Sequence, residues 1–200
     1  LDENRTPIKF KDLPKHLVDA LIATEDERFY EHSGIDIRGT IRAMVYLGSK
    51  GGASTISQQL AKQLFHKEKT RGIARYTQKI KEWIIATRLE KQYTKEEILT
   101  MYFNIYDFNN NADGIRSAAK IYFDKEPKQL KIEEGAMLVG MFKNSALYNP
   151  VKNKEGVTNR RNVVLAQMAK NNYLTQEQKD SLQQLPLKIK YTPESHNDGI

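Results

Sequence analysis

Three short stretches of this 200-residue chain place reactive side chains at spacings that chemistry can use. The first is ATEDERFYEHSG, residues 23–34, in which Glu25, Asp26, Glu27 and Glu31 are followed by His32. Upstream, HLVDALIA has the apolar period of a helix bound for a core, with Leu17, Val18, Leu21, Ile22 and Glu25 on one stripe. Glu25 continues that apolar face, and Asp26 turns away from it. A carboxylate held at the end of such a helix can take a proton from a hydroxyl in a transition state. The plainer reading is a solvated helix end. His32 alone reads as a hydrogen-bonded structural histidine.

The second stretch is GGASTISQQ, residues 51–59, with glycines and hydroxyls directly before a helix. Backbone N–H groups at a helix N-terminus, with Ser54 and Thr55, suit a phosphate or a sugar hydroxyl. On this stretch alone, capping by Ser54 is the favoured reading. The amides of Gln58 and Gln59 point in different directions on one turn, so one of them can face a ligand. The third is a basic series, Lys62, Lys67, Lys69, Arg71, Arg75, Lys79 and Lys81, with Glu82 inside it. It is either a solvated face or a cationic cradle for pyrophosphate. Pairing of Glu82 with Lys79 or Lys81 is the local reading. No HExxH pattern, nucleotide-binding glycine loop or nucleophile elbow occurs.

The elements that must position these residues are mostly helices. Ile56, Leu60 and Leu64 align over 54–66, and Ile80, Trp83, Ile84 and Thr87 are expected inward over 76–92. TKEE (94–97) and TQEQ (175–178) are capping boxes. EEGAMLVGMF is apolar nearly all round and reads as a central buried helix. LPLKIKY alone reads as a strand. The class is mainly α. A net charge of +7 and a pI of about 9.4 point to a polyanionic partner: nucleic acid, an anionic membrane surface or a phosphate-bearing substrate. The absence of cysteine excludes disulfide scaffolds and thiolate metal sites. No run approaches the ~20 apolar residues of a membrane span. The chain reads as a fragment of a longer protein, with any anchor outside it.

Taken in order, these motifs resemble the peptidoglycan glycosyltransferase domain, glycosyltransferase family 51, of class A penicillin-binding proteins and monofunctional transglycosylases. EDERFYEHSG is similar to that family's first motif at Glu25, Asp26, Phe29, His32 and Gly34. GASTISQQLAK resembles the second at Gly52, Ser54, Thr55, Ser57, Gln58 and Gln59, followed by Lys62. QKIKEWIIATRLE resembles the third at Lys79 and Glu82. EEILTMYFN, which includes Asn104, and AAKIYFDK resemble the fourth and its continuation, and LVGMFKNSALYNP with RRNVVL the fifth. The chain departs from the family at Gln78, where arginine is usual, at Asp107 and Asp113, where tyrosines are usual, and at Asn109 and Asp124, near expected glycines. The wording of the fourth motif and of RLEKQYTKEEI is most similar to enzymes of the Bacteroidetes.

The resemblance implies a lysozyme-like fold in which residues 1–200 form a single domain of two lobes. A membrane-touching jaw of roughly residues 40 to 80 is inserted in a larger head. It implies polymerisation of lipid II with inversion on the outer face of the bacterial cytoplasmic membrane. In that reaction Glu25 is the general base on the acceptor 4-hydroxyl, and Asp26 fixes the turn beside it. Lys62, Lys79 and Arg71 or Arg75 meet the leaving undecaprenyl pyrophosphate, with hydrogen bonds from Ser54 or Gln58. Thr55, Gln59 and Asn104 belong to the substrate-binding set. Glu82 either holds a divalent metal, Mg or Mn, or orients the cations; no organic cofactor is expected. The implied partners are lipid II, the growing glycan strand, the membrane surface and moenomycin-type inhibitors, with a transpeptidase domain outside this chain and no nucleic acid. Asp113 is expected as the N-cap of GIRSAAKIYF and Asp107 as an acceptor ordering the loop. The rivals are a lytic transglycosylase or lysozyme-like hydrolase and a basic, nucleic-acid-binding helical module.

Overall fold

The structure, a computed structural model, describes residues 7–45, 54–65 and 73–193. Among these residues the fold is mainly α and contains no strand, only an isolated bridge between Asp107 and Asp113. The helices are α1 (Lys15–Glu25), α2 (Ile37–Val45), α3 (Ile56–Phe65), α4 (Ile73–Gln92), α5 (Lys95–Ile105), α6 (Gly114–Phe123), α7 (Ile132–Met141), α8 (Lys154–Lys170) and α9 (Gln176–Gln184). The chain divides into two compact units, Leu1–Thr24 with Phe103–Ile200, and Glu25–Tyr102.

In the first unit α7 is the centre, as its all-round apolar sequence requires. Gly135 to Met141 are all buried, and α8 packs along it. The α9 capping box forms: Thr175 and Gln178 each accept the other's backbone N–H, at 3.1 and 2.9 Å. Tyr106 donates to the Met141 carbonyl at 2.7 Å and packs with Phe108 and Phe142. The loop between α5 and α6 is wired internally. Asn109, Asn110 and Asn111 have φ of 67, 54 and 64°, a left-handed run that asparagine tolerates better than other side chains. Asp107 accepts from the Asn109 N–H at 2.7 Å, the loop-ordering role expected of it. The buried Tyr122 hydroxyl donates to the Phe108 carbonyl at 2.7 Å, and burial raises its pKa. Asp124 closes α6 at φ 54° and bridges Lys120 and Lys190, which lower its pKa to about 2.

Three expectations are corrected. Asp113 occupies the N-cap position of α6 but makes no side-chain cap bond. The chain enters the helix through Gly114 at φ 79°, with the Asp113 backbone in the bridge to Asp107. LPLKIKY finds no partner strand; Lys190 and Thr192 give their N–H groups to the Tyr122 and Ile121 carbonyls, both at 2.8 Å, at the end of α6. In the second unit, Ile80 and Ile84 do not face inward: they are 55% and 49% exposed, while Glu82, Ala86 and Leu89 are buried. The face that turns in carries Glu82, paired with Lys79 of the same helix, and Glu90 beside it meets Ser57 of α3 and Lys95 of α5. The Thr94–Glu97 capping box opens α5 as expected, with bonds of 2.7 and 3.2 Å.

His16, on α1 in the first unit, ties stability to pH. Burial holds its imidazole below the ordinary value, against smaller raising effects from the Lys131 backbone and Asp19. The unfolded chain therefore takes up this proton first as pH falls, and stability is lost from about pH 6.5 downward. Urea midpoints measured from pH 8 to pH 5 are expected to decline over that range. His16→Gln, which keeps an N–H donor without a titrating ring, is expected to flatten the decline.

Candidate active site

The second unit gathers most of the reactive residues, and α3 is where they attach. α1 carries its apolar stripe up to Glu25, which is half-buried, and the chain then turns. Asp26 is buried at 7% exposure. Its Oδ2 accepts the Ile56 N–H at 3.0 Å, in the first turn of α3, where unpaired N–H groups and the helix dipole favour an anion. Both Asp26 oxygens lie 3.0 Å from His32 Nε2. His32 Nδ1 accepts the Gly34 N–H at 3.2 Å, so Nε2 carries the proton and donates to Asp26. His32 is thus the structural histidine that its type suggests.

Gly34 has φ 94°, and a Cβ there would lie 2.8 Å from the Ala86 carbonyl carbon of α4. Its carbonyl accepts from Thr55 Oγ1 at 2.7 Å. Thr55 also caps α3, its Oγ1 accepting the Gln58 N–H at 3.1 Å; the cap is Thr55 and not Ser54. Gln58 is buried and its Oε1 accepts the Thr55 N–H at 3.4 Å. Its Nε2 has no hydrogen-bond partner among the described residues, and the amide oxygen serves the cap.

Gln59 faces the other way. Its Nε2 donates to Glu25 Oε2 at 3.1 Å, and its Oε1 accepts from the Tyr102 hydroxyl at 2.7 Å. Ser54, free of capping, accepts from Lys79 Nζ at 2.9 Å, and Lys79 also donates to Glu82 Oε2 at 3.0 Å. The Glu82 side chain is 6% exposed and that of Lys79 38%, so a buried acid holds a cation that reaches solvent. Among the described residues no three His, Asp or Glu converge into a cation cage, and Glu82 is engaged by Lys79. Among the described residues, then, no donor set for a resident divalent metal is assembled.

Sequence reasoning missed a second buried network. Glu90, 5% exposed in its side chain, accepts from Ser57 Oγ at 2.5 Å and from Lys95 Nζ at 2.8 Å. Lys95 also donates to the His32 carbonyl at 2.7 Å and sits 4.3 Å above the buried Phe29 ring. The only available signal was acids recurring on α4 away from its apolar stripe. Lys62 and Arg75 are exposed, on the last turn of α3 and the first of α4. Arg71 lies outside the described residues. Asn104 belongs to the first unit, where its amide holds the Ile8 backbone by two bonds of 3.0 Å.

The family model described as transglycosylase matches residues 1–169. The chain belongs to the transglycosylase family. It is 39% identical over 194 residues to penicillin-binding protein 1A of Vibrio cholerae, covering 95% of this chain and 23% of the relative. It is 40% identical over 178 residues to penicillin-binding protein 1F of Bacillus subtilis, covering 86% and 24%. The fold is shared with the crystal structure of penicillin-binding protein 1A from Haemophilus influenzae, at TM-score 0.56 and 22% identity, over 94% of this chain and 18% of that one. The chain thus spans about a quarter of the length of the curated relatives it matches. In this transglycosylase the matched span holds every site residue above.

Gly34→Ala tests how firmly the first-motif loop is fixed. The side chain would meet the α4 backbone at a left-handed φ, so a loss of about 2–5 kcal/mol in unfolding free energy is expected. Chemical denaturation of the variant beside the parent measures it.

Proposed function

We propose that this transglycosylase domain is a peptidoglycan glycosyltransferase that polymerises lipid II into glycan strands with inversion at the anomeric carbon. The observation that carries the reading is an oriented acid and a held cation in one unit. Glu25 accepts a hydrogen bond from the Gln59 amide, and the buried Glu82 holds Lys79. Glu25 takes the proton of the acceptor 4-hydroxyl as that oxygen attacks C1, a contribution of roughly a hundred- to ten-thousand-fold for a well-placed base. The C1–O bond to undecaprenyl pyrophosphate breaks, and Lys79 stabilises the charge that develops on the leaving group. Glu82 and Ser54 hold the Lys79 ammonium in place. Lys62, Arg75 and Arg71 supply further positive charge. Asp26 and Thr55 fix the loop that carries Glu25. The Mg or Mn expected from the resemblance is assigned no residue and no step.

A hydrolase has no need of a held cation for a pyrophosphate, and Lys79 with its two anchors favours the transferase. A nucleic-acid module leaves the Tyr102–Gln59–Glu25 chain without purpose. Exposed apolar residues support contact with a membrane surface: Ile37, Ile41 and Val45 on α2 recur every four residues, as do Tyr76, Ile80 and Ile84 on α4. Arg38, Arg42 and Lys81 are interspersed with them. These residues fall within or beside the stretch of roughly 40 to 80 read as the jaw. No helix of the described residues is long and apolar enough to cross a membrane. We place the domain on the outer face of the bacterial cytoplasmic membrane.

Extension of fluorescent lipid II, with finished peptidoglycan as the competing substrate, tests the reading. Glu25→Gln is expected to fold and to lose polymerisation by at least a hundredfold. A folded variant that polymerises within a few-fold of the parent would falsify the assignment. Digestion of finished peptidoglycan without extension of lipid II would establish the hydrolase.

Binding of moenomycin, whose phosphoglycerate resembles the pyrophosphate, tests the cradle. Lys79→Ala is expected to weaken it by about 1.5–3 kcal/mol. Because that change strands the buried Glu82, the double variant Lys79→Met with Glu82→Gln removes both charges at similar volume. Unchanged affinity in the folded double variant would move the cradle elsewhere.

A further inference from the structure

Tyr102, on α5, is fully buried, yet its hydroxyl is directed at a side-chain amide. That amide is Gln59, 43 residues away in sequence, and its other end reaches Glu25. An ionised carboxylate can only accept hydrogen bonds, so Gln59 must present Nε2 to it. Gln59 Oε1 then faces Tyr102, and the phenol must be the donor. The chain Tyr102 O–H to Gln59 Oε1, then Gln59 Nε2–H to Glu25 Oε2, runs in one direction only. An inverted amide would place an oxygen against a carboxylate and two donors at the phenol.

We infer that Tyr102 is a positioning residue for the general base, acting through Gln59. By holding the amide against inversion it keeps a donor on Glu25 Oε2, and this restricts the rotation of the carboxylate. Gln59 is then a positioning residue too. The inference rests on the reading of Glu25 as the base. A base that must meet a hydroxyl within hydrogen-bond reach gains from such fixing, because misplacement of the reacting groups costs rate steeply.

Two variants test it by steady-state extension of lipid II. Tyr102→Phe removes one oxygen from a buried ring and is expected to lower kcat about three- to tenfold, with KM within about twofold. Gln59→Glu puts a second carboxylate against Glu25. Two carboxylates sharing one site retain a proton between them, so the acid limb of the pH–rate profile is expected to move up by about one pH unit or more. A merely structural role for either residue would lower the amount of folded enzyme and leave that limb where it was. A kcat within about twofold of the parent for Tyr102→Phe, or an unmoved acid limb for Gln59→Glu, overturns the inference. If Gln59→Glu does not fold, the kcat and KM of Tyr102→Phe decide alone. Glu25→Gln separates the two levels: if it still polymerises, the base assignment itself fails. If it is inactive while Tyr102→Phe and Gln59→Glu behave as the parent, only the positioning role fails.

Discussion

Asp26 is the constraint on which the site depends. It is a buried carboxylate with one N–H from the start of α3 and one from His32. Leaving such a charge without its partners costs about 3–5 kcal/mol, a large share of the stability of an ordinary domain. The loop after α1 must therefore stay where both donors reach it. Fixing Asp26 fixes its neighbour Glu25 at the mouth of the same turn. It also fixes the tautomer of His32, whose other nitrogen accepts from Gly34. Gly34 in turn lies so close to the α4 backbone that no side chain fits between them. One buried anion thus ties the loop after Glu25, α3 and α4 to each other, and the residues proposed for chemistry hang from that tie.

With the frame fixed, two acids are given different surroundings. Glu25 accepts a hydrogen bond from the uncharged Gln59 amide, which helps to orient it. Glu82 is nearly enclosed and meets an ammonium at 3.0 Å, so the two together carry no net charge. A buried pair of that kind adds little to stability in itself, because desolvation offsets most of the attraction. What it provides is location. Lys79 cannot swing with the freedom of a surface lysine, since Ser54 holds it from a second direction. A preorganised cation needs no reorganisation when charge develops on a leaving group, and this is where electrostatic stabilisation is strongest.

The α1 stripe, the buried α7 and both capping boxes were legible in the sequence, because each depends on residues within a few positions of one another. So was the position of Glu25, as the continuation of an apolar period. The departures at Asn109 and Asp124 also become intelligible. Both have left-handed φ, which glycine adopts freely and Asn and Asp tolerate better than most, so they replace glycine at small backbone cost. What could not be read depends on distant partners. Ser57 meets Glu90 across 33 residues, and Lys79 meets Ser54 across 25. No local period encodes such pairs. The threonine cap of α3 was missed for a related reason: serine is the better cap by type, and Ser54 is instead engaged by the distant Lys79.

The inversion of α4 follows from the same balance of partners. A helix with one apolar stripe in a small unit is expected to bury it. α4 instead buries the face that carries Glu82, and beside it the Glu90 side chain, and leaves Ile80 and Ile84 exposed. Exposure of an isoleucine side chain forgoes about 1.5–3 kcal/mol of burial, and two of them forgo more than a typical hydrogen bond returns. Such an arrangement is compatible with a stable unit because the buried acids are each paired, Glu82 with Lys79 and Glu90 with Lys95 and Ser57. Turning the helix to hide its isoleucines would expose or strand those acids, at a larger cost per group than the apolar burial would gain. The polar requirements of the site therefore set the rotation of α4 about its axis, and the outward apolar stripe is the consequence. A surface produced in this way is costly in water and favourable against lipid. The chemistry proposed for the site and the surroundings proposed for the domain thus share one structural cause.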